Sequence, residues 1–374
     1  MQFTAQGFLV FQLTHSPAFL GYVGFASGVP VWLFMLFGGV VSDRMPRRNL
    51  LLMTQTSMMI LAFFLATLTF LGHIQPWHIV VLAFGFGVAN SFDTPARQAF
   101  AVELVGREDL SNALALNATM MNLATAIGPA VAGVVYALLG PGWCFTINGI
   151  SFIAVISALL MMRFKPHPPR ERTGTALDDL KEGLRYVVSH PTIRILIAVV
   201  TMTTIFGMSF VTLMPAWAVT ILQGNSTTNG FLQSARGIGS LISGLMIASL
   251  ASARIKGKML TLGSLLFPVL LLVWSAMRWL PLSLLVLVGV GWGSMLVYNM
   301  ANILVQSVVS DPLRGRVMSI YSLGFFGTFP VGALLAGAVA EKIGETTTVA
   351  LGASVLLAFG GVLWLRMPQL RALE

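Results

Sequence analysis

The stretch GGVVSDRMPRRNLLL, residues 38–52, closes one long apolar run and opens the next. Asp43, Arg44, Arg47 and Arg48 crowd into six residues of a chain in which only 9% of residues are charged. On either side of this cluster the 374-residue sequence is 56% apolar, with a mean hydropathy of +0.84. That is too apolar and too poor in charge to cover a water-exposed surface, so the chain is a membrane protein.

A helix satisfies its own backbone hydrogen bonds in hydrocarbon, and crossing ~30 Å takes roughly 20 mostly apolar residues. Eleven such runs follow one another, from Ala18–Val41 to Thr347–Leu365. Ahead of them, MQFTAQGFLVFQ (residues 1–12) has the length of half a crossing and reads as the outer half of a first helix. It lacks the basic n-region and cleavage site of a signal peptide. The expected fold is therefore all-α, with twelve membrane helices of which the first is shortened.

Positive charge sets the orientation. Arg44, Arg47, Arg48, Arg97, Arg107, Arg163, Arg254, Lys256, Lys258, Arg314, Arg316 and Arg366 fall at alternate ends of successive spans, whereas Arg278 and Lys342 fall at the other ends. The rule that basic loops stay inside makes the first side cytoplasmic and puts the C-terminus there. The net charge of +9 thus reports topology. A nucleic-acid surface would need a basic face with aromatics on a soluble fold, which is missing. Cys144 cannot form an internal disulfide and reads as a small packing residue.

Residues 164–191 are the largest polar interruption. KPHPPRERTG is a proline-broken linker, followed by an amphipathic helix with Leu177, Leu180, Leu184 and Val188 on one face and a Thr175–Asp178 capping box. The expected division is residues 1–163, this linker, and residues 192–374. Sliding the sequence by about 204 residues lays GPAVAG (128–133) on GALLAG (332–337) and Val105 on Val309. Two six-helix bundles related by a parallel internal repeat imply halves that rock about a central site.

Gly39, Asp43, Arg44, Arg47 and Arg48 resemble the G-x-x-x-D-R-x-G-R-R signature between helices 2 and 3 of the major facilitator superfamily. The resemblance implies a latch that holds the cytoplasmic side in one rocking state; Pro46 stands where the family usually has glycine. Gly128, Pro129 and Gly133 resemble the G-P-x-x-G-G motif of exporters, with Ala132 replacing one glycine. Here Pro129 would kink the helix and the glycines would let it pack tightly. FDTPARQAFAVELVGREDLSNALALN, GPGWCFTINGISFIAVISALL and DPLRGRVMSIY are similar to a bacterial branch that includes enterobactin exporters and macrolide efflux pumps. The branch implies an inner-membrane monomer that exports a siderophore-like or drug-like molecule in exchange for protons, without a cofactor.

Other chemistries find no support. There is no G-x-x-x-x-G-K-[ST] loop for ATP, the five histidines show no zinc spacing, and none is central to a span where a serine hydrolase would need it.

Polar residues inside apolar helices usually face the bundle interior. In the span Trp77–Arg97, Phe86, Asn90, Asp93 and Arg97 are spaced 4, 3 and 4. Along Pro281–Val305 and one residue past it, Met295, Asn299, Asn302 and Gln306 repeat that spacing, with Trp292 and Tyr298 nearby. Met202, Phe206 and Trp217 add soft, flat surface from a third span. Such walls suit a bulky amphipathic molecule, the alternative for each residue being plain interhelical packing. Asp93 is the acid clearly inside a span, so Asp93 and Arg97 are either a proton-coupling pair or a permanent structural one. Arg236, deep in its span, either faces a substrate anion or reaches outward to helix-end carbonyls. A membrane sensor or scaffold of the same fold is the competing reading to a transporter.

Overall fold

A computed structural model describes residues 1–105, 109–162, 176–250 and 255–373. Within these ranges the side chains of 35–36, 38–40, 42–44, 102–103, 110–111, 114–115, 176–180 and 312 are outside the description. Residues 164–175 of the expected linker (164–191), and with them the Thr175–Asp178 capping box, lie outside the described residues.

Proline punctuates the chain. It stands in the first turn of α2 (Pro17–Arg44), α4 (Pro76–Leu104), α6 (Pro141–Met161), α8 (Pro191–Met202) and α12 (Leu280–Val308). There its missing N–H costs nothing, because the first turn's donors have no intrahelical partner. Between them run α1 (Gln2–Thr14), α3 (Arg47–Phe70), α5 (Leu110–Leu139), α7 (Ala176–Ser189), α9 (Phe210–Ala216), α10 (Ser226–Ser249) and α11 (Lys256–Ser275). The chain closes with α13 (Asp311–Ser322), α14 (Phe329–Ile343), α15 (Glu345–Arg366) and α16 (Pro368–Arg371). Eleven stretches among the described residues are long and apolar enough to cross a membrane. Two of these are interrupted by π-helical turns, at Thr203–Met208 and Trp217–Ile221 between and after α8 and α9, and at Leu323–Gly327 between α13 and α14.

The internal repeat is visible in the packing. In the first half α2 and α3 pack on α4, and α3 on α6; in the second, α10 and α11 pack on α12, and α11 on α15. Gly140, between α5 and α6, and Gly344, between α14 and α15, are 204 residues apart and turn the chain with φ of 88° and 82°. A side chain at either position would be strained.

The two bundles meet along two seams, α2 on α14 and α5 on α10. At the end opposite the arginine-rich loops, called the far end below, both seams are closed by backbone contact. A β-carbon on Gly21 would lie 3.2 Å from the Gly337 Cα, and one on Gly133 would lie 3.1 Å from the Gly230 Cα. Small residues at such crossings let helices approach in a medium where apolar side chains gain little by leaving lipid. Hydrogen bonds join the bundles at the same end: Thr4 Oγ1 to Gln233 (3.1 Å), Ser16 Oγ to Glu341 (2.7 Å) and Ser226 Oγ to the Gly133 carbonyl (3.1 Å).

The arginine-rich end differs. Leu116 through Met121 of α5 are all exposed, and Thr125 and Ile127 one to two turns on are exposed too. Six consecutive exposed residues cover every direction around a helix, so this stretch of α5 is less enclosed than the seam that follows it. The bundles are sealed at the far end and parted at the other. Below them, α7 is fastened to the second bundle by Glu182 to Arg316 (2.6 Å) and by close approach of Gly183 to the Arg316 backbone.

Candidate functional site

In the first bundle the site begins with four polar residues in a row, Thr54-Gln55-Thr56-Ser57, inside the apolar helix α3. Asp93 of α4 is 1% exposed and turns toward them. Its carboxylate accepts from Thr54 Oγ1 (2.8 Å), Gln55 Nε2 (2.7 Å), and Arg97 Nε (3.1 Å) and Nη2 (2.5 Å). A buried carboxylate is tolerated when its lone pairs are used in this way. The Arg97 side chain is itself 50% exposed and reaches back from the open face to Asp93.

This splits the expected stripe on α4. Asn90, Thr94 and Arg97 are exposed, but Asp93 faces α3 and Phe86 meets Phe152 of α6, with ring centroids 6.1 Å apart. Thr54 and Gln55 were missed as partners, although polar residues inside an apolar run are themselves a signal.

Arg47 and Arg48, at the start of α3, bond backbone carbonyls of their own bundle. Arg48 donates to the carbonyls of Leu159 and Leu160 (both 2.7 Å) in the last turn of α6, and Arg47 to the Ala99 carbonyl of α4 (3.3 Å). Carbonyls in a last helical turn lack intrahelical donors, so a guanidinium satisfies them and complements the helix dipole. The side chains of Gly39, Asp43 and Arg44 lie outside the described residues.

The Gly-Pro stretch of α5 sits on the seam with α10. Pro129 has no N–H to give to the Thr125 carbonyl, and Gly237 of α10 comes so close to that carbonyl that a β-carbon would lie 2.5 Å from it. One residue on, the Ala130 N–H donates to Ser234 Oγ at 2.9 Å. Gly133 meets Gly230 as described. Gly128 does not share this role: a β-carbon there would find nothing within 4 Å. The tight packing expected of both glycines thus belongs to Gly133.

In the second bundle, Trp292, Met295, Asn299 and Asn302 of α12 are each partly exposed and Gln306 is exposed, whereas Gly291, Gly293, Ser294, Leu296, Val297, Tyr298, Met300 and Ala301 are buried. The expected stripe is the helix's open face. Asn302 and Gln306 bond each other along it at 2.6 Å. Tyr298 lies off the stripe: it is buried, its hydroxyl pairs with Thr204 (3.0 Å) in the first π-helical turn, and Tyr321 donates to its carbonyl (2.8 Å). Trp217 is fully buried and stacked on Trp274 at 4.1 Å, so it is core of the second bundle. Met202 and Phe206 pack beside that same core.

Arg236 stands apart. Its Nε is buried with no hydrogen-bond partner, while the residue as a whole is partly exposed. Cys144 is buried, with Sγ 3.5 Å from the Ala132 carbonyl, as a packing residue would be.

Two repeated helical bundles, sealed at one end and lined with polar residues toward the other, define a membrane transport protein. The whole chain, residues 1–374, matches the family model described as transmembrane secretion effector, and it belongs to that family, within the major facilitator superfamily. It is 25% identical over 335 residues to a staphyloferrin A transporter of Staphylococcus aureus, covering 89% of this chain and 84% of the relative. To the enterobactin exporter EntS of Shigella boydii serotype 4 it is 24% identical over 362 residues, covering 96% and 86%. Among solved structures, a bacterial homologue of the human lysosomal transporter Spinster, inward-facing and unoccupied, shares the fold with a TM-score of 0.74 at 13% identity, covering 99% and 94%. The nucleoside transporter NupG does so with a TM-score of 0.72 at 14% identity, covering 97% and 94%. The chain is a multi-pass membrane transporter of small molecules and its relatives are not enzymes.

Proposed function

We propose that this protein is a secondary active exporter that moves a small amphipathic molecule out of the bacterial cytoplasm by alternating access, in exchange for protons. The observation that carries the reading is the unequal closure of the two ends. The far end is shut by glycine-to-glycine backbone contact, and the arginine-rich end is parted around the open faces of α4 and α12. With the basic loops in the cytoplasm, this is the inward-open half of a rocking cycle. Rocking would separate the glycine seams and bring the exposed residues 116–121 of α5 against the partner bundle.

The protein is taken to work as a monomer in the cytoplasmic membrane, with its C-terminus inside and a bundle on each side of the 164–191 linker. The Asp43 cluster would latch the cytoplasmic side in the opposite state. Asp93 is the acid offered to a coupling proton, and its pairing with Arg97 would have to open during the cycle. Export as the direction is supported by the Gly128-Pro129-Gly133 resemblance and by one relative being an exporter.

The test is flux in proteoliposomes, with staphyloferrin A and enterobactin as first probes. Uphill movement driven by an imposed pH gradient is expected. Substrate binding without any flux would overturn the reading and favour a sensor of the same fold.

A further inference from the structure

Arg236 lies ten residues past the start of α10, about 15 Å along the helix. At that depth an uncompensated charge is expensive, and arginines commonly reach back to an interface or bond helix-end carbonyls. Among the described residues no hydrogen bond joins the Arg236 side chain to a helix-end carbonyl. Among the described residues it has no ion pair, and its Nε is buried without an acceptor.

Its surroundings hold it in place. α10 and α12 touch at this level, where a β-carbon on Gly291 would fall on the Arg236 carbonyl. Ser240 Oγ donates toward both that carbonyl (3.2 Å) and the Gly291 carbonyl (3.4 Å), tying the two helices together. The Tyr298 phenol, seven residues past Gly291, lies within electrostatic reach of the guanidinium. That phenol is fixed in turn by Thr204 in the π-helical turn of residues 203–208, while Tyr321 holds its carbonyl. Single π-helical turns inside α-helices are frequent at functional sites. The next residue on α12, Asn299, belongs to the open stripe, as does Asn302 one turn on.

We infer that Arg236, backed by Tyr298, is the receptor for a carboxylate or similar planar oxyanion on the transported molecule. This rests on the reading of the open faces as the substrate cavity. A guanidinium is a planar fork of five donors without an acceptor and takes two oxygens of a carboxylate side by side. A ligand anion supplies the acceptor that the fold leaves out and cancels the buried charge. A neutral or cationic ligand does neither, so the site selects by charge sign before shape.

The test uses the purified full chain in detergent and two probes of one shape, 2-naphthoate and 2-naphthamide, followed by equilibrium titration. The wild type should bind the carboxylate about tenfold or more tightly than the amide, the gain of one charge-assisted bidentate contact. Arg236→Gln should lose that preference, its two probes binding alike. Arg236→Lys, which keeps charge but not the fork, should retain part of it, and it serves alone should the glutamine variant not fold. Equal binding of the two probes by the wild type, no binding of the carboxylate, or an unchanged preference in the variants would overturn the inference. Loss of flux in proteoliposomes with charge preference intact would instead sink the transporter reading and leave the anion receptor standing.

Discussion

Each bundle carries a charged side chain within the membrane, and the two are treated in opposite ways. Asp93 accepts four hydrogen bonds from Thr54, Gln55 and Arg97, all within its own bundle. Arg236 has a buried Nε–H that donates to no partner. A charge whose partners are built into the fold ties helices together. One left without them is held ready for a group that arrives from outside. The repeat supplies the same scaffold twice, and the difference lies in what three or four side chains on it complete or leave open.

The largest effect expected from this contrast is on stability. Asp93→Ala strips three side chains of their acceptor and leaves Arg97 without its pair, so it should cost about 3 kcal/mol. Arg236→Gln removes a charge that has no partner and should stay within about 1 kcal/mol of wild type or be more stable. Unfolding in detergent measures both; equal losses would break the comparison.

Next in size is the seam. Gly133→Leu drives a side chain into the Gly230 backbone and should cut flux about tenfold by holding the far end apart, whereas Gly128→Ala, which meets nothing within 4 Å, should transport normally. Distance spectroscopy across the far end should show separation for Gly133→Leu alone. Impaired transport by Gly128→Ala would mean that its role arises in a state other than this one.

Asp93→Asn keeps the shape of the acid but not its charge. If Asp93 carries the proton, pH-gradient-driven export should be lost while downhill exchange of substrate continues. Retained gradient-driven export would leave Asp93 as structure alone and sharpen its contrast with Arg236.

Smaller again is the latch. Asp43→Asn should shift the inward-open population by a few-fold, about 1 kcal/mol for a charge at a membrane edge, without changing expression. Unchanged populations would separate the Asp43 cluster from rocking. The smallest change is expected of Trp217→Phe. This residue stacks on Trp274 inside the second bundle, so the substitution should lower stability slightly and leave substrate preference untouched.

Much of this was written along the chain. The lengths of the apolar runs gave the spans, the alternation of arginines gave the two sides, and the 204-residue offset gave the repeat that Gly140 and Gly344 now mark in the backbone. The open stripe of α12 was legible because amides at 3- and 4-residue spacing are conspicuous in hydrocarbon. On α4 the same spacing misled, since Asp93 and Phe86 turned to neighbouring helices and left Asn90 and Arg97 on the open face. Periodicity tells which residues share a face, but it does not give the rotation of that face about the helix axis.

In a water-soluble protein that rotation is betrayed by the apolar stripe, which must point inward. In a bilayer the lipid side is as apolar as the core, so the pattern loses its sign. The sequence therefore determined how many times this chain crosses the membrane, which end is basic and which segments repeat, because each depends on local hydropathy and charge. Which end is shut, which glycine forms the seam, and whether a buried charge finds its partner were decided by tertiary structure, because each depends on atoms brought together from helices far apart in the chain.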